Sequence, residues 1–322
     1  MASAYSSEQI AAFLTHIELP QKYHPANGPV HNLKYLTALH VHTISAIPYD
    51  NLALHYSPTH KISINPQHAF NKIVTNKRGR GGYCMEVSIM FNHVLRALGW
   101  NVYTAGVRIR HRKDGIPEGE YIGWVHLVNI VTLPTGQSYM LDVGFGGDGA
   151  TKPVPLTEGH AIHNLGTQEI RLIKDHIPAQ ANRSEHTKLW IYQYRNGKEQ
   201  DWNSFYAFPE TEFLQADYEV MNWYTGSNPT SFQTFTCLVI KFLKGRKDGE
   251  EDEEIVGKRM LVNGTVKENL GGKTKVVQEC QDEEERVNAL AKWFGMSFTE
   301  EEKEGIRGYV TELKGSYGEG LE

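Results

Sequence analysis

Residues 80–86 read Arg-Gly-Gly-Tyr-Cys-Met-Glu, and apolar residues at helical spacing begin directly after them. They recur every three or four positions, at Val87, Met90, Phe91, Val94, Leu95 and Leu98. This spacing predicts an α-helix that begins at Cys84 and is capped at its C-terminal end by Gly99. In the first turn of a helix a thiol meets unpaired backbone N–H groups and the positive end of the helix dipole, which favour the thiolate. Cys84 is therefore a candidate nucleophile; the alternative is a small buried hydrophobic residue.

The composition is that of an ordinary globular chain of 322 residues, with 40% hydrophobic and 22% charged residues. The length predicts two or three domains, since single cores stop growing at about 250–300 residues. A net charge of −5 argues against a nucleic-acid partner. No apolar run approaches the ~18 residues of a membrane span, and the first residues do not resemble a signal peptide. We therefore expect a cytoplasmic protein without a membrane partner, either a monomer or a weak homo-oligomer.

Cysteine and histidine spacing gives no indication of a metal site. Cys84, Cys237 and Cys280 form a sparse set without C-x-x-C spacing, which fits a reducing compartment. His40 and His42 are close together, but no cysteine or carboxylate stands near them at a spacing typical of metal ligands. We predict that these histidines are hydrogen-bonded or lie on the surface, and we predict no metal site.

After Gly99 the period of the apolar pattern changes from helical to alternating. Residues 101–111, 121–131 and 138–143 have the character of strands, and the last two are joined by the turn Leu133-Pro134-Thr135-Gly136-Gln137. So short a connection predicts an antiparallel hairpin, in which the numbers of paired residues sum to about 268–270. His126 then lies opposite Asp142 or diagonal to it, on the same face of the hairpin.

His126 and Asp142 are unusual in strands that are otherwise apolar. An ionisable side chain in a buried strand needs a partner, and each of these two is the natural partner of the other. The carboxylate would fix the tautomer of the ring and stabilise its charged form, and the free ring nitrogen would serve a nucleophile. The alternative, a purely structural hydrogen bond, leaves the thiol on a Gly-Gly turn unexplained. The sequence therefore predicts a catalytic triad of Cys84, His126 and Asp142.

Several segments together resemble the arylamine N-acetyltransferase family, and the resemblance covers most of the chain. Residues 80–86 are similar to its R-G-G-x-C-x-E signature, and residues 47–51 (Ile-Pro-Tyr-Asp-Asn) to its I-P-F-E-N segment. Residues 124–127 and 141–146 match the strands that carry the histidine and the aspartate of the family. Residues 222–232 are like the Ser/Thr-Pro segment that enters the third domain. The kind of member that we expect is eukaryotic and fungal.

The resemblance implies an α+β fold with an N-terminal helical bundle, a central antiparallel β-barrel and a C-terminal α/β lid, in a papain-like Cys-His-Asp arrangement. We place these domains at residues 1–100, 101–207 and 208–322. It also implies ping-pong transfer of an acetyl, propionyl or malonyl group from acyl-coenzyme A, by way of a Cys84 thioester, to an arylamine, arylhydrazine or N-arylhydroxylamine. In that reaction acyl-coenzyme A is a co-substrate, and no cofactor is permanently bound.

The same resemblance implies roles for residues around the triad. Tyr49 and Phe145 would line the acceptor pocket, and Ser227, Thr230 and Ser231 would contact coenzyme A. Tyr49 departs from the usual phenylalanine of the family, which bears on the choice of acceptor.

The residues that flank Cys84 have supporting roles by the same resemblance. Gly81 and Gly82 would let the backbone pass close to the substrate. Arg80 and Glu86 would brace the turn that presents the thiol.

Three further segments contain charges or glycines that could point to a binding site. The basic run Arg108–Lys113 is either a solvent-facing strand end or a contact for an anionic acyl group or the coenzyme phosphates. The charged run Lys244–Arg259 is expected to be a long solvated loop. Residues 144–149 satisfy G-x-G-x-x-G, but Pro153 and Pro155 interrupt the helix that a dinucleotide site requires.

The rest of the chain supports a third domain that mixes helices and strands. We predict irregular structure over residues 158–184. Strands are predicted at Leu189–Tyr194, Phe232–Leu243, Ile255–Val262 and Thr265–Val277, and helices toward Trp223, over Asp282–Phe294 and after Thr299.

Two other classes of protein stay open. The order Cys, His, Asp also occurs in transglutaminase-like and papain-like proteins, which act on amides. A non-catalytic, ligand-binding relative is the second alternative, although an intact triad argues against it.

Overall fold

A computed structural model describes residues 2–246, 249 and 251–315. The helices in that part of the chain are α1 Ser7–His16, α2 Leu33–Ala46, α3 Ala53–Tyr56, α4 Pro66–Phe70, α5 Cys84–Ala97, α6 Gln215–Ser227, α7 Phe232–Phe235, α8 Glu283–Phe294 and α9 Glu300–Gly305. The strands are β1 Tyr49–Asp50, β2 Asn101–Lys113, β3 Ile116–Thr132, β4 Ser138–Leu141, β5 Val154–Pro155, β6 Ile162–His163, β7 Glu169–Asp175, β8 Leu189–Arg195, β9 Asn203–Phe208, β10 Leu238–Gly245, β11 Glu254–Val262, β12 Thr265–Asn269 and β13 Lys275–Glu279.

Helix α5 lies at the centre of the N-terminal helical part. It begins at Cys84, as the apolar spacing predicts, and the chain leaves it through Gly99, whose φ of +83° suits a glycine. The apolar residues of α5 are buried in one core with those of α1 and α2. Because α5 is fixed on all sides by this core, its first turn is a rigid support for the thiol.

The larger of the two described sheets forms the barrel. Its eight strands have the order β5-β4-β3-β2-β9-β8-β7-β6, and the described pairs are antiparallel. A bridge between Glu158 and Leu172 brings the segment after β5 to β7, so that the sheet closes almost completely. In the β3–β4 hairpin Asn129 pairs with Leu141, which confirms the predicted register and sets His126 diagonal to Asp142.

The prediction of irregular structure over residues 158–184 is wrong. This segment contains β6 and β7, and β7 pairs with β8 along its whole length. Only Ile170 and Leu172 of β7 are fully buried, and charged residues alternate with them. A strand at the edge of the barrel needs apolar residues on one face only. The overall composition of this segment is therefore polar, although apolar and polar residues alternate along β7.

The five-stranded sheet of the C-terminal part has the order β1-β10-β11-β12-β13. Its edge strand β1 comes from the helical part of the chain, with Tyr49 opposite Ile240. The predicted strand Thr265–Val277 is two strands, because Asn269 accepts hydrogen bonds from the N–H groups of Gly271 and Gly272 and turns the chain back.

Two further bounds differ from the prediction. The segment Phe232–Leu243 begins with the helical turn α7 before β10. Half of the charged run Lys244–Arg259 is strand, because Lys244 pairs with Ile255, and the connection is confined to residues 246–253. In that connection Asp252 forms ion pairs with Lys22 and Lys34, so its described acids contact the helical part.

The predicted α+β fold of helical bundle, antiparallel barrel and α/β lid is confirmed in these elements. The domain boundaries at residues 100 and 207 stay predictions. Among the described residues, no helix is both long and apolar enough to cross a membrane.

Candidate active site

The Cys84 thiol lies at the junction of α5 and the barrel. Only 4% of the residue is exposed, and Sγ lies 3.8 Å from the carbonyl oxygen of Val125, the neighbour of His126. The preceding turn is fixed by Glu86, whose carboxylate accepts a hydrogen bond of 3.2 Å from the Tyr83 N–H group. The buried helix start therefore holds the sulfur against strand β3.

The two glycines before the thiol are required by close contacts with the chain itself. A Cβ atom on Gly81 would lie 1.7 Å from the carbonyl oxygen of Pro48, and one on Gly82 would lie 2.9 Å from the Cβ atom of Glu86. The close approach also lets the Gly81 N–H group donate to Asp50 at 2.7 Å. These glycines therefore allow backbone packing against the chain, whereas their predicted approach to substrate stays a prediction.

Replacing Gly81 with alanine is expected to destabilise the fold by about 2 kcal/mol or more, because the Pro48 backbone would have to move. Unfolding in urea measures the change. Gly123→Ala is the control, since nothing lies within 4 Å of a Cβ atom there. Equal stability of the two variants would contradict the argument.

Arg80 connects the turn to the C-terminal part of the chain. Its guanidinium lies 3.5 Å from Asp50, donates to Glu302 at 3.0 Å and packs over the Phe298 ring at 4.9 Å. These contacts join the turn to Asp50 and to the segment around Glu302, and the bracing role that the family resemblance implies for Arg80 stays a prediction.

His126 and Asp142 form a direct hydrogen bond. Nε2 of the ring lies 2.9 Å from Oδ2 of the carboxylate, and both side chains are almost completely buried. The other carboxylate oxygen, Oδ1, accepts a hydrogen bond of 3.2 Å from the Gly144 N–H group. Both oxygens are thus engaged, which fixes the orientation of the carboxylate and of the ring.

The segment after Asp142 packs directly on the start of α5. A Cβ atom on Gly144 would lie 2.9 Å from Cα of Cys84 and 2.8 Å from its carbonyl oxygen. Together with the Val125 contact, this packing brings the three residues of the predicted triad to one place. The glycine at position 144 is therefore needed for the approach of hairpin and helix.

Burial raises the pKa of the Cys84 thiol, and the Asp142 carboxylate acts in the same direction. The backbone N–H groups of Met85 and Cys84 lower the pKa but do not outweigh burial. This direction is opposite to the one expected from the helix start alone, because the sequence does not show how deeply the thiol is buried. A thiol in this setting needs a base in order to react at neutral pH.

Aromatic rings surround the histidine. The ring of Phe145 lies 5.1 Å from that of His126 and also contacts Phe205 and Tyr206. Tyr206 itself lies 6.1 Å from His126, on strand β9, which the sequence analysis missed. The alternation of apolar and polar residues is weak there, but the aromatic run from 205 to 208 is a signal that could have revealed it.

Tyr49, the second predicted acceptor residue, is buried beside the Cys84 turn. Its hydroxyl accepts a hydrogen bond of 2.6 Å from Gln233, and its backbone is bridged to Gly82. Burial, followed by the proximity of Cys84, raises the pKa of Tyr49, so the phenol stays neutral. Gln233 and Asn51 also bond at 3.0 Å, which ties this corner to the α6–α7 segment.

The predicted coenzyme A contacts lie at the α6–α7 connection. Ser227 and Thr230 are exposed, while Ser231 is buried. In the described contacts none of the three touches the predicted triad directly. The ring of Phe232, the next residue, lies 6.4 Å from His111 at the end of β2.

Two motifs that could suggest cofactors have structural explanations. The 144–149 turn is followed by β5 and not by a helix, so it lacks the geometry of a dinucleotide site. His40 and His42 bind the carbonyl groups of Ala150 and Ile17, each at 3.1 Å. Within residues 2–246, 249 and 251–315, no group of three His, Cys, Asp or Glu side chains is placed to hold a metal ion.

Known proteins resemble this chain over most of its length. A family model described as N-acetyltransferase matches residues 32–302. The N-malonyltransferase of Fusarium pseudograminearum is 36% identical over 324 residues, which cover 94% of this chain and 92% of that protein. The arylamine N-acetyltransferase structure from Salmonella typhimurium has a TM-score of 0.73 at 23% identity, covering 94% of this chain and 98% of that one. The Mycobacterium marinum enzyme in complex with CoA has a TM-score of 0.71 at 21% identity, covering 92% of this chain and 98% of that one.

Fold, site and relatives define the class of protein as an acyltransferase that acts on amines. The family model spans most of the chain and the Fusarium relative nearly all of it. The chain belongs to the arylamine N-acetyltransferase family. The comparisons lend no support to a transglutaminase-like or papain-like amidase, or to a non-catalytic binding protein.

Proposed function

We propose that this protein transfers a short acyl group from acyl-coenzyme A to the nitrogen of an arylamine, arylhydrazine or N-arylhydroxylamine, by way of a thioester on Cys84. The observation that carries the proposal is the 2.9 Å hydrogen bond between His126 and Asp142 beside a buried thiol. The family supports transfer to an amine, and a solved relative in complex with CoA supports coenzyme A as the carrier.

The His126 ring is the proposed base. Because Nε2 is engaged with Asp142, Nδ1 is the nitrogen that takes the thiol proton as Sγ attacks the thioester carbonyl. The three side chains and the thioester together carry one net negative charge before and after this step, because the imidazolium forms as a negative charge develops on the thioester oxygen, so no additional net charge is buried. Asp142 raises the pKa of the Cys84 thiol, which opposes a thiolate that forms by itself. The same carboxylate stabilises a positive charge on His126, so loss of the proton by the thiol and its uptake by the ring occur together.

The acyl group then passes to the amine in a second step. Coenzyme A leaves with the proton from His126, and the acyl group stays on Sγ of Cys84. The amine nitrogen attacks the acyl carbon, its proton passes to His126, and the proton returns to Sγ as the carbon–sulfur bond breaks. We propose that Tyr49 and Phe145 line the pocket of the acceptor, and that Ser227, Thr230 and Ser231 contact coenzyme A.

We further propose malonyl-coenzyme A as the preferred donor, because the Fusarium relative is named an N-malonyltransferase. Incubation with acetyl-, propionyl- or malonyl-coenzyme A, without an acceptor, is expected to add one acyl group per chain, most rapidly from the malonyl donor. Intact-protein mass spectrometry measures the addition, and an aniline, aminophenol or arylhydrazine should then remove it.

The outcomes distinguish an error in the proposed acyl donor from an error in the proposed reaction. Faster acylation by acetyl-coenzyme A would contradict the proposed donor only. Absence of acylation by all three donors, together with release of ammonia from a glutamine side chain, would favour the amidase alternative instead.

A further inference from the structure

A cluster of two cations around one carboxylate lies in the turn that carries Phe145. Asp148 forms an ion pair with Arg112, lies 3.2 Å from Nζ of Lys258 and accepts a hydrogen bond of 3.2 Å from Gln168. Burial raises the pKa of the Asp148 carboxyl, but Lys258 and Arg112 outweigh it and hold the pKa at about 2. The cluster therefore carries an excess of one positive charge.

Arg112 is the member of this cluster that can bind a further anion. Lys258 is only 7% exposed, and it donates to both Gly147 and Asp148. The Arg112 side chain is 36% exposed, and in the described contacts only its Nη2 has an acceptor, Asp148. Its guanidinium packs over the ring of Phe205 at 4.6 Å, which holds the remaining N–H donors in a fixed plane.

An aromatic wall connects Arg112 to the reacting centre. The Phe205 ring lies 4.7 Å from that of Phe145, and Phe145 lies 5.1 Å from His126. Gly147 lies in the same turn, and a Cβ atom there would lie 3.8 Å from Nη2 of Arg112. The Arg112 guanidinium therefore lies at one end of this row of aromatic rings, and His126 lies at the other end.

The neighbouring arginines of β2 are occupied by the protein itself. Arg108 donates to the carbonyl of Ile122 and packs over Trp124. Arg110 donates to the carbonyls of Gly119 and Ser204. Of these three arginines, Arg112 alone has a carboxylate partner in the described contacts and lies on the wall that leads to His126.

We propose that Arg112 binds the carboxylate of a malonyl-type acyl group and so determines the choice of donor. This inference rests on the proposed function. A planar guanidinium matches a carboxylate with two parallel hydrogen bonds, and the excess charge of the cluster attracts a second anion beside Asp148. An acetyl group has no carboxylate and gains nothing from this contact.

The test is the ratio of kcat/KM for malonyl-coenzyme A to that for acetyl-coenzyme A, measured by coenzyme A release with a neutral arylamine. Arg112→Gln is expected to lower this ratio about 10- to 100-fold, the range of a hydrogen-bonded charged contact. Arg112→Lys should retain part of the ratio, because it keeps the charge. Arg110→Gln, on the same strand, is the matched control and should leave the ratio as it is in the unmodified protein.

Three outcomes would overturn the inference. An unchanged ratio of kcat/KM for the two donors in Arg112→Gln would show that Arg112 does not bind the carboxylate of the acyl group. An equal loss with both donors would assign Arg112 to the coenzyme phosphates or to support of the turn, and thermal unfolding of the variant separates these two. If the unmodified protein forms no acyl-enzyme with either donor, the proposed function fails and the inference with it.

Discussion

Replacing Cys84 with alanine is expected to abolish acyl transfer and the covalent acyl-enzyme together. The thiol stores the acyl group between the two half-reactions, and loss of a nucleophile that acts with its base as a unit costs about 10⁶-fold in other enzymes. Mass spectrometry of the protein after incubation with malonyl- or acetyl-coenzyme A should show one added acyl group on the wild-type chain and none on the Cys84→Ala variant. Release of coenzyme A in the presence of an arylamine should fall to the uncatalysed rate.

Cys280→Ala is the matched control for this result. Cys280 is also a free, buried cysteine, but it lies in the core formed by α8 and the five-stranded sheet. The control should still form the acyl-enzyme. Undiminished turnover in Cys84→Ala, or an acyl group found on Cys280, would end the proposed mechanism.

The local geometry of the site could be predicted because it depends on short-range rules. A turn of few residues fixes the register of a hairpin, and that register put His126 diagonal to Asp142. The start of α5 at Cys84 followed from apolar spacing, and the helix predicted over Asp282–Phe294 corresponds to α8. Each of these inferences used residues within about twenty positions of one another.

The features that could not be predicted depend on distant parts of the chain. Strand β1 pairs with β10 across nearly 200 residues, and nothing in Tyr49–Asp50 indicates this partner. The cluster of Arg112, Asp148 and Lys258 likewise joins three strands or turns that are far apart in sequence. A charged run at a strand end has the same pattern whether it faces solvent or a buried carboxylate.

The direction of the pKa shift of the Cys84 thiol likewise could not be predicted from the sequence. The sequence indicates the helix start, which lowers the pKa of a thiol, but it does not indicate the depth of burial, which raises it. Since burial dominates in the structure, reactivity depends on the base more strongly than the sequence suggested. Activation of the thiol therefore depends more on proton transfer to His126 than on the helix dipole.

His126→Gln is accordingly expected to slow formation of the acyl-enzyme by about 10²–10⁴-fold, the contribution typical of a positioned base. Glutamine keeps an N–H donor for Asp142 but cannot take the thiol proton at neutral pH. Rapid-quench measurement of acylation by malonyl-coenzyme A gives the rate. His93→Gln is the control, since His93 is a half-buried histidine that binds the Ala4 N–H group away from the site.

The pH dependence of the residual rate distinguishes loss of a base from a general disturbance of the site. Burial raises the pKa of the Cys84 thiol, so without a base the thiolate is a small fraction at neutral pH. That fraction grows about tenfold per pH unit until the pH reaches the pKa of the thiol. Acylation of His126→Gln should therefore climb steadily through the neutral and alkaline range, whereas the unmodified protein and His93→Gln, which transfer the proton internally, should lack this slope. A variant that is slow at every pH with the unmodified profile would mean that His126 holds the site together without taking the proton.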